Sequence, residues 1–326
     1  MKRLLVVTII LLVTPWAFAV STLYVNCPGK SPDFAGIQDA VNHANPGATI
    51  IVCSGTYREN VTVLPPITGL TIEANNGAFP QLVPPNGGAS SPGFSLFANT
   101  TITGFYISGF TGSAGIVVNP RYGGTTLAYN NIHNNQTGIA LLESSGGNVI
   151  KYNSITWNST DGIFDSNPGS NDTLYWNFVS FNGHAPCTPY QGQNNGIEIS
   201  STANGGVLFG NIVGFNGSDG IYLNNASDAN IEFNVLTGNG CDGLYLNTSL
   251  DDSISGNTAQ GNGNDGVEVN SSSKNNTITN NQMTRNSTFD AADHSGPGGG
   301  TAETNNTWTN NECSKPSSPA GLCTVE

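Results

Sequence analysis

Glu198, Tyr222, Tyr245 and Glu268 each stand two residues after a glycine, and successive members are 24, 23 and 23 residues apart. If those intervals are structural repeats, the four side chains line up as two tyrosines bracketed by two carboxylates, with Phe164 extending the row one repeat earlier. Aromatic rings cover the C–H faces of sugars and carboxylates accept hydroxyl protons, so such a row suits a polysaccharide. The competing explanation is cross-strand stacking that only stabilises a sheet.

Asp165 breaks the apolar pattern, because it takes the place filled by Leu141, Ile199 and Leu223 in neighbouring repeats. Either an acid points inward there, with the raised pKa that suits a general acid, or the strand ends early at "DSNPG", whose Asn, Pro and Gly are turn residues. With Glu198 one repeat away, Asp165 and Glu198 are the catalytic candidates, a carboxylate pair of the kind that hydrolyses glycosides. Arg121 falls near Glu143 and Asp165 on successive repeats, which keeps lyase chemistry open. Ten extra residues between Asn182 and Gly196 make 183–195 a projecting loop with His184 and Tyr190, placed to wall one side of a groove.

Asp161, Asp219, Asp242 and Asp265 immediately precede glycines, the last three in consecutive repeats. Like charges about 5 Å apart repel, so a calcium ion bridging Asp219, Asp242 and Asp265 would be favourable. Asp-Gly is also an ordinary turn pair and explains the same residues without a metal.

The elements that must position these groups follow from three columns in register. Gly115, Gly138, Gly162, Gly196, Gly220, Gly243 and Gly266 precede aliphatic residues, and columns of asparagine run from Asn130 to Asn281 and from Asn135 to Asn286 with the same rhythm. A fixed period in this range signals a solenoid. Each repeat holds three short alternating segments, such as "GIYLN", "NIEF" and "VLTGN", which makes a coil of three strands with Ile221, Leu223, Ile231 and Leu236 inward. Asparagines at the tight turns are expected to hold the left-handed backbone conformation and to hydrogen-bond along the stack. Tyr129, Tyr152, Trp176 and Phe233 read as an inner aromatic column.

A solenoid needs capped ends. In "SPDFAGIQDAVNHANPG", Asp33 is placed to cap a short amphipathic helix bearing Ile37 and Val41, which Pro46 and Gly47 stop. The expected division is a signal peptide at 1–19, an N-terminal cap and first strand at 20–60, coils at 61–288, and a C-terminal cap at 289–326.

Residues 1–19 combine Lys2 and Arg3, an apolar run from Leu4 to Val13 and a small-x-small site at "AFA", the pattern of an export signal. Its removal leaves 7 basic against 22 acidic side chains, a net charge of −15, which argues against nucleic acid and anionic membranes as partners. With no further run of spanning length, a monomer that is secreted or periplasmic is expected. Six cysteines in an exported chain favour disulfides. Cys313 and Cys323 are close neighbours, Cys27 and Cys53 each end a short apolar strand, and Cys187 and Cys241 are left to each other.

The stretch "GIQDAVNHANPGATIIVCSGTYREN", followed by the Gly-aliphatic and Asn columns, resembles right-handed parallel β-helix proteins of the pectin-lyase-like superfamily, with repeats of the NosD type. The resemblance implies an all-β, right-handed parallel β-helix of about nine or ten coils, with sites on the outer face of the first strand of each coil. That superfamily holds lyases, hydrolases, epimerases and non-enzymatic proteins, so the fold alone assigns no activity. Polygalacturonase-like signatures are missing, and "DGIFDSN" only faintly echoes the alginate-epimerase-like motif. His43, His133, His184, His294 and Met283 lie in separate contexts, which argues against the copper binding of NosD-like relatives. The sequence therefore points to polysaccharide, neutral or acidic through calcium, with binding and catalysis both open and a structural or partner-binding surface solenoid as the remaining alternative.

Overall fold

The computed structural model describes residues 21–86, 88–119, 121–143, 146–166, 171–184, 187, 194–200 and 205–326. The chain is a parallel β-helix of about ten coils. Each repeat contributes one strand to each of three faces, as Ile221–Asn224, Asn230–Glu232 and Val235–Thr237 do in one coil. Among the described residues these strands form a ten-stranded first sheet, a thirteen-stranded second sheet and a twelve-stranded third sheet, stacked in chain order along the coils except that Asp33–Phe34 lies at the edge, outside Thr22–Val25. Register is kept by the apolar columns: Ile221 pairs with Leu244 and Leu223 with Leu246, all four buried.

The glycine column, the strongest signal in the sequence, marks close approach. A Cβ at Gly138 would lie 2.3 Å from the Gly162 carbonyl oxygen, 2.4 Å from an Ile155 methyl and 3.0 Å from the Asn158 amide. Nothing larger than a hydrogen fits between the next coil and the asparagine ladder.

Both asparagine ladders form. Asn211, midway along the first, donates its amide to Asn234 Oδ1 at 2.9 Å and to the Leu174 carbonyl at 2.8 Å. Its own Oδ1 accepts the backbone N–H and the side-chain amide of Asn177, both at 3.0 Å. The second ladder ends on an acid: Asp290 Oδ1 accepts from Asn286, while its Oδ2 accepts the backbone N–H groups of Ser314 and Lys315. Every side-chain polar group in such a buried row has to be paired, and the repeat pairs each with its copy one coil away.

The ladder asparagines do not, however, hold the left-handed conformation. The residue before each does, including Tyr129, Tyr152, Trp176 and Phe233 at one corner and Trp157, Phe181 and Phe215 at the next, with φ between 54° and 59°. This corrects the inner aromatic column: a left-handed residue at the tight corner throws its side chain outward, and all seven rings are exposed.

The N-terminal helix, Ile37–His43, buries Ile37 and Val41 over the first coil as expected. Its N-cap is Gly36 rather than Asp33, which instead accepts the Cys27 N–H at 2.9 Å. Glu59 replaces the cap, its two carboxylate oxygens accepting the N–H groups of Ile37 and Gln38 at 2.8 Å each. At the other end the coil continues into 289–326, where Ala291–Asp293, Thr307–Thr309 and Glu312–Cys313 extend all three sheets. The disulfides pair as Cys27–Cys53, Cys187–Cys241 and Cys313–Cys323. The expected signal segment 1–19 lies outside the described residues, and among those described no helix is long and apolar enough to cross a membrane.

Candidate functional site on the first sheet

Phe164, Glu198, Tyr222, Tyr245 and Glu268 pair in register on five successive strands, so they form one outward row along the first sheet. Tyr222 and Tyr245 stack, with ring centroids 5.5 Å apart and planes 13° from parallel. Their faces cover one another, and Tyr222 is 9% exposed. The row therefore has no open ring face between its two tyrosines. Beside it runs a second polar row that the sequence reading missed. Asn247 donates to the Tyr222 hydroxyl at 2.9 Å and to Asn224 at 3.0 Å, and Asn270 donates to Asn247. Its signal was the period itself, since these three asparagines are 23 residues apart.

Asp165 and Glu198 are not brought together. Asp165 pairs with Leu141 and Ile199, the inward positions, whereas Glu198 pairs with Phe164 and Tyr222 on the outer face. Adjacent residues of a strand point to opposite faces, so the sheet lies between the two carboxyls. Of the two alternatives for Asp165, the inward acid is the one found: it is buried within the strand Ile163–Ser166. Glu198 is buried too, accepting from Asn195 Nδ2 at 3.0 Å and from the Ser200 hydroxyl, and burial raises its pKa against those bonds.

Arg121 donates its backbone N–H to the Glu143 carbonyl at 3.1 Å, which places the two on successive coils, both exposed. Among the described residues no ion pair joins Arg121 to either acid. His184 is exposed at the start of the inserted loop, and Cys187 ties that loop to Cys241. Tyr190 lies outside the described residues.

The acids before the glycines form a buried row of their own. One carboxylate oxygen of each accepts a backbone N–H from the next coil: Asp161 from Asn195 at 2.8 Å, Asp219 from Asp242 at 2.9 Å, Asp242 from Asp265 at 2.7 Å. Asn195 takes the missing place in the column, accepting from Asp219 at 3.1 Å. Burial pushes Asp161 and Asp219 up to about 7 and Asp265 to about 6, and raises Asp242 well above the ordinary carboxylate value. Neighbouring carboxylates add to burial in each case, Glu198 beside Asp161 and Glu268 beside the other three. Asp242, Asp265 and Glu268 each present a carboxylate oxygen within 4.8 Å of the other two, a spacing at which oxygen donors can share one cation. Asp219 stands outside that triplet. Glu268 Oε1 also lies 3.6 Å from His294 Nε2.

The family model for the right handed β-helix region matches residues 114–283 and 182–316, well over half of the chain. The chain belongs to the right-handed β-helix family. This β-helix protein is similar in fold to the A-module of the mannuronan C-5 epimerase AlgE4 of Azotobacter vinelandii, at 14% identity and a TM-score of 0.64, over 86% of this chain and 82% of that one. It is also similar to XylC, solved in complex with xylose, at 13% identity and a TM-score of 0.66, over 82% of this chain and 69% of that one. The Dettilon tailspike protein matches at 14% identity, with a TM-score of 0.56 over 85% of this chain and 50% of the tailspike chain. At these identities the likeness is one of fold. Among curated proteins none matches this β-helix protein by sequence.

Proposed function

We propose that this β-helix protein binds polysaccharide along the outer face of its first sheet, without itself cleaving the chain. The observation that carries the reading is the in-register row Glu198–Tyr222–Tyr245–Glu268 with the parallel row Asn224–Asn247–Asn270. Together they set the Tyr245 hydroxyl, the asparagine amides and the Glu268 carboxylate along one face, with buried Glu198 and Tyr222 beneath them, a surface suited to sugar hydroxyls. The fold it shares with an epimerase, a xylose-bound protein and a tailspike supports a polysaccharide as the partner. Strong acidity favours a neutral glycan over an anionic one. In this reading calcium, where an acidic glycan is bound, is held by Asp242, Asp265 and Glu268, whose donor atoms lie within mutual reach. Two-carboxylate hydrolysis by Asp165 and Glu198 gains no support, since they face opposite sides of the sheet.

The test is affinity electrophoresis and calorimetry of the exported protein against neutral and acidic polysaccharides, with and without calcium, alongside an assay for new reducing ends. The expected result is retention by a neutral polymer, weakened at least tenfold by Tyr245→Ala or Glu268→Gln, with no new ends. Release of ends that disappears in Glu198→Gln would replace binding with catalysis.

A further inference from the structure

A separate corner of the coil, between the second and third sheets, is concave. The cavity there has a volume of about 430 Å³ and is lined by Asn75, Asn76, Phe79, Tyr106, Tyr129 and Asn131, with no charged side chain among its lining residues. Its volume falls in the range of small-molecule sites, about 300–1,000 Å³.

The backbone shows that the fold does not require a ring at Tyr129. The same corner position is taken in other coils by Gly104, Gly210, Gly256, Asn280 and Asn310 as well as by the rings Tyr152, Trp176 and Phe233, all with positive φ, and only glycine and asparagine are residue types that tolerate that conformation readily. A tyrosine at φ 56° is not demanded by the fold, and its ring is 62% exposed, so burial gives it little in return. One face of the ring stacks on Tyr152, with centroids 5.1 Å apart and planes 11° from parallel. The other face is left open, because Gly104 in the preceding coil carries no side chain to cover it. Across the gap the 75–79 turn is fastened by the Ala78 N–H donating to the Asn75 carbonyl at 2.7 Å and the Phe79 N–H donating to the Ser54 hydroxyl at 3.2 Å. It holds Phe79, itself 61% exposed, edge-on against Tyr106 at 5.9 Å.

We propose that this corner is a binding site for a neutral pyranose ring, stacked on the open face of Tyr129 and hydrogen-bonded by the amides of Asn76 and Asn131. An uncovered aromatic face is the surface that sugar C–H groups pack on, and amides both donate to and accept from hydroxyls. Neither side-chain amide is engaged by another described residue. Without a charged group in the lining, the site has nothing to balance an acidic sugar. It stands on a different corner from the first-sheet row and does not depend on it.

The ligand is either a free sugar or the end of a glycan, and the two arms of the test separate them. Saturation-transfer NMR of the exported protein with the methyl pyranosides of glucose, galactose, mannose, xylose and N-acetylglucosamine would be followed by calorimetry with those that respond, and with their oligosaccharides. At least one pyranoside is expected to bind, with affinity reduced at least tenfold by Tyr129→Asn and by Phe79→Ala. Tyr129→Asn keeps a residue that suits the turn, as Asn280 and Asn310 show, and Phe79→Ala leaves the coil untouched. Tyr245→Ala is expected to leave this binding unchanged. Silence from every pyranoside and oligosaccharide would overturn the proposal, as would binding that survives both corner variants or that is lost only with Tyr245→Ala.

Discussion

Asp242 accepts the backbone N–H of Asp265 through Oδ1 at 2.7 Å, so the fold itself holds two acids on adjacent coils. The same bond recurs from Asp219 to Asp242, and burial rather than pairing with a base decides the protonation of the row. In the unfolded chain these carboxyls titrate near the ordinary value of 3.8, whereas in the fold Asp161 and Asp219 titrate at about 7 and Asp265 at about 6. Between about pH 4 and pH 7 the folded state therefore binds more protons than the unfolded one. Their contribution to stability is complete below about pH 4 and is lost as the pH rises through 6 to 7. The thermal midpoint is expected to be higher at about pH 4.5 than at about pH 7.5, the reverse of a protein held by salt-bridged carboxylates. A midpoint that climbs over that range would sink this account of the row.

Asn195 already occupies one place in that column with its acceptor bond intact. Asp219→Asn should therefore keep the bond to the Asp242 N–H and remove a buried charge that Glu268 and Glu198 oppose. The variant is expected to raise the midpoint at about pH 7.5 and to change it little at about pH 4.5, where the acid is already neutral. A lower midpoint at the higher pH would mean that the ionised Asp219 is doing something the hydrogen bonds do not show.

The exposed corner aromatics lead to a prediction of near-neutrality. Trp157 has φ 58° and is 53% exposed, and it stacks on Phe181 with centroids 4.7 Å apart. The stack contributes about 0.5–1.5 kcal/mol, whereas a left-handed non-glycine residue costs about 1–2 kcal/mol. Asn134 fills the equivalent place one coil earlier at φ 55°. Trp157→Asn is thus expected to change unfolding free energy by less than about 1 kcal/mol in urea titration. A loss of several kcal/mol would show that the ring supports the coil.

The coil, its sheets, the ladders and the disulfides were legible because each repeat must bury the same columns as its neighbours. Leu174 and Ile231 could not both be inward, nor Asn177 and Asn234 both laddered, unless the period was structural. The first-sheet row was legible for the same reason, since a residue two after each column glycine has to face out. What the sequence did not disclose was the corner. A left-handed conformation at Tyr129 or Trp176 runs against residue preference, and preference pointed instead to the asparagine beside it. The pocket against Tyr129 was hidden too, because it needs the 75–79 turn, which belongs to an earlier coil and follows no column. Asp165 remained undecided in the sequence because "IFDS" continues a strand pattern while the "NPG" that follows it is turn-forming and argues for an early end.

The ladder itself makes the sharpest demand on chemistry. Asn211 must donate toward Asn234 Oδ1 and the Leu174 carbonyl while accepting from Asn177, and only an amide does both in that volume. Asn211→Asp keeps the acceptor but sets a carboxylate against two oxygens in a buried row. An acid is tolerated at Asp290 because there the second oxygen accepts from Ser314 and Lys315. Asn211→Asp is expected to cost about 2–4 kcal/mol at about pH 7.5 relative to the unchanged chain. At about pH 4.5 the loss should shrink, since a protonated carboxyl regains one donor. Asn211→Ala, which leaves the Asn177 backbone N–H and one of its two amide hydrogens unpaired at any pH, should show no such recovery. Urea titrations of both variants at the two pH values decide it: equal losses for Asn211→Asp at both would mean that shape, not hydrogen-bond direction, holds the ladder.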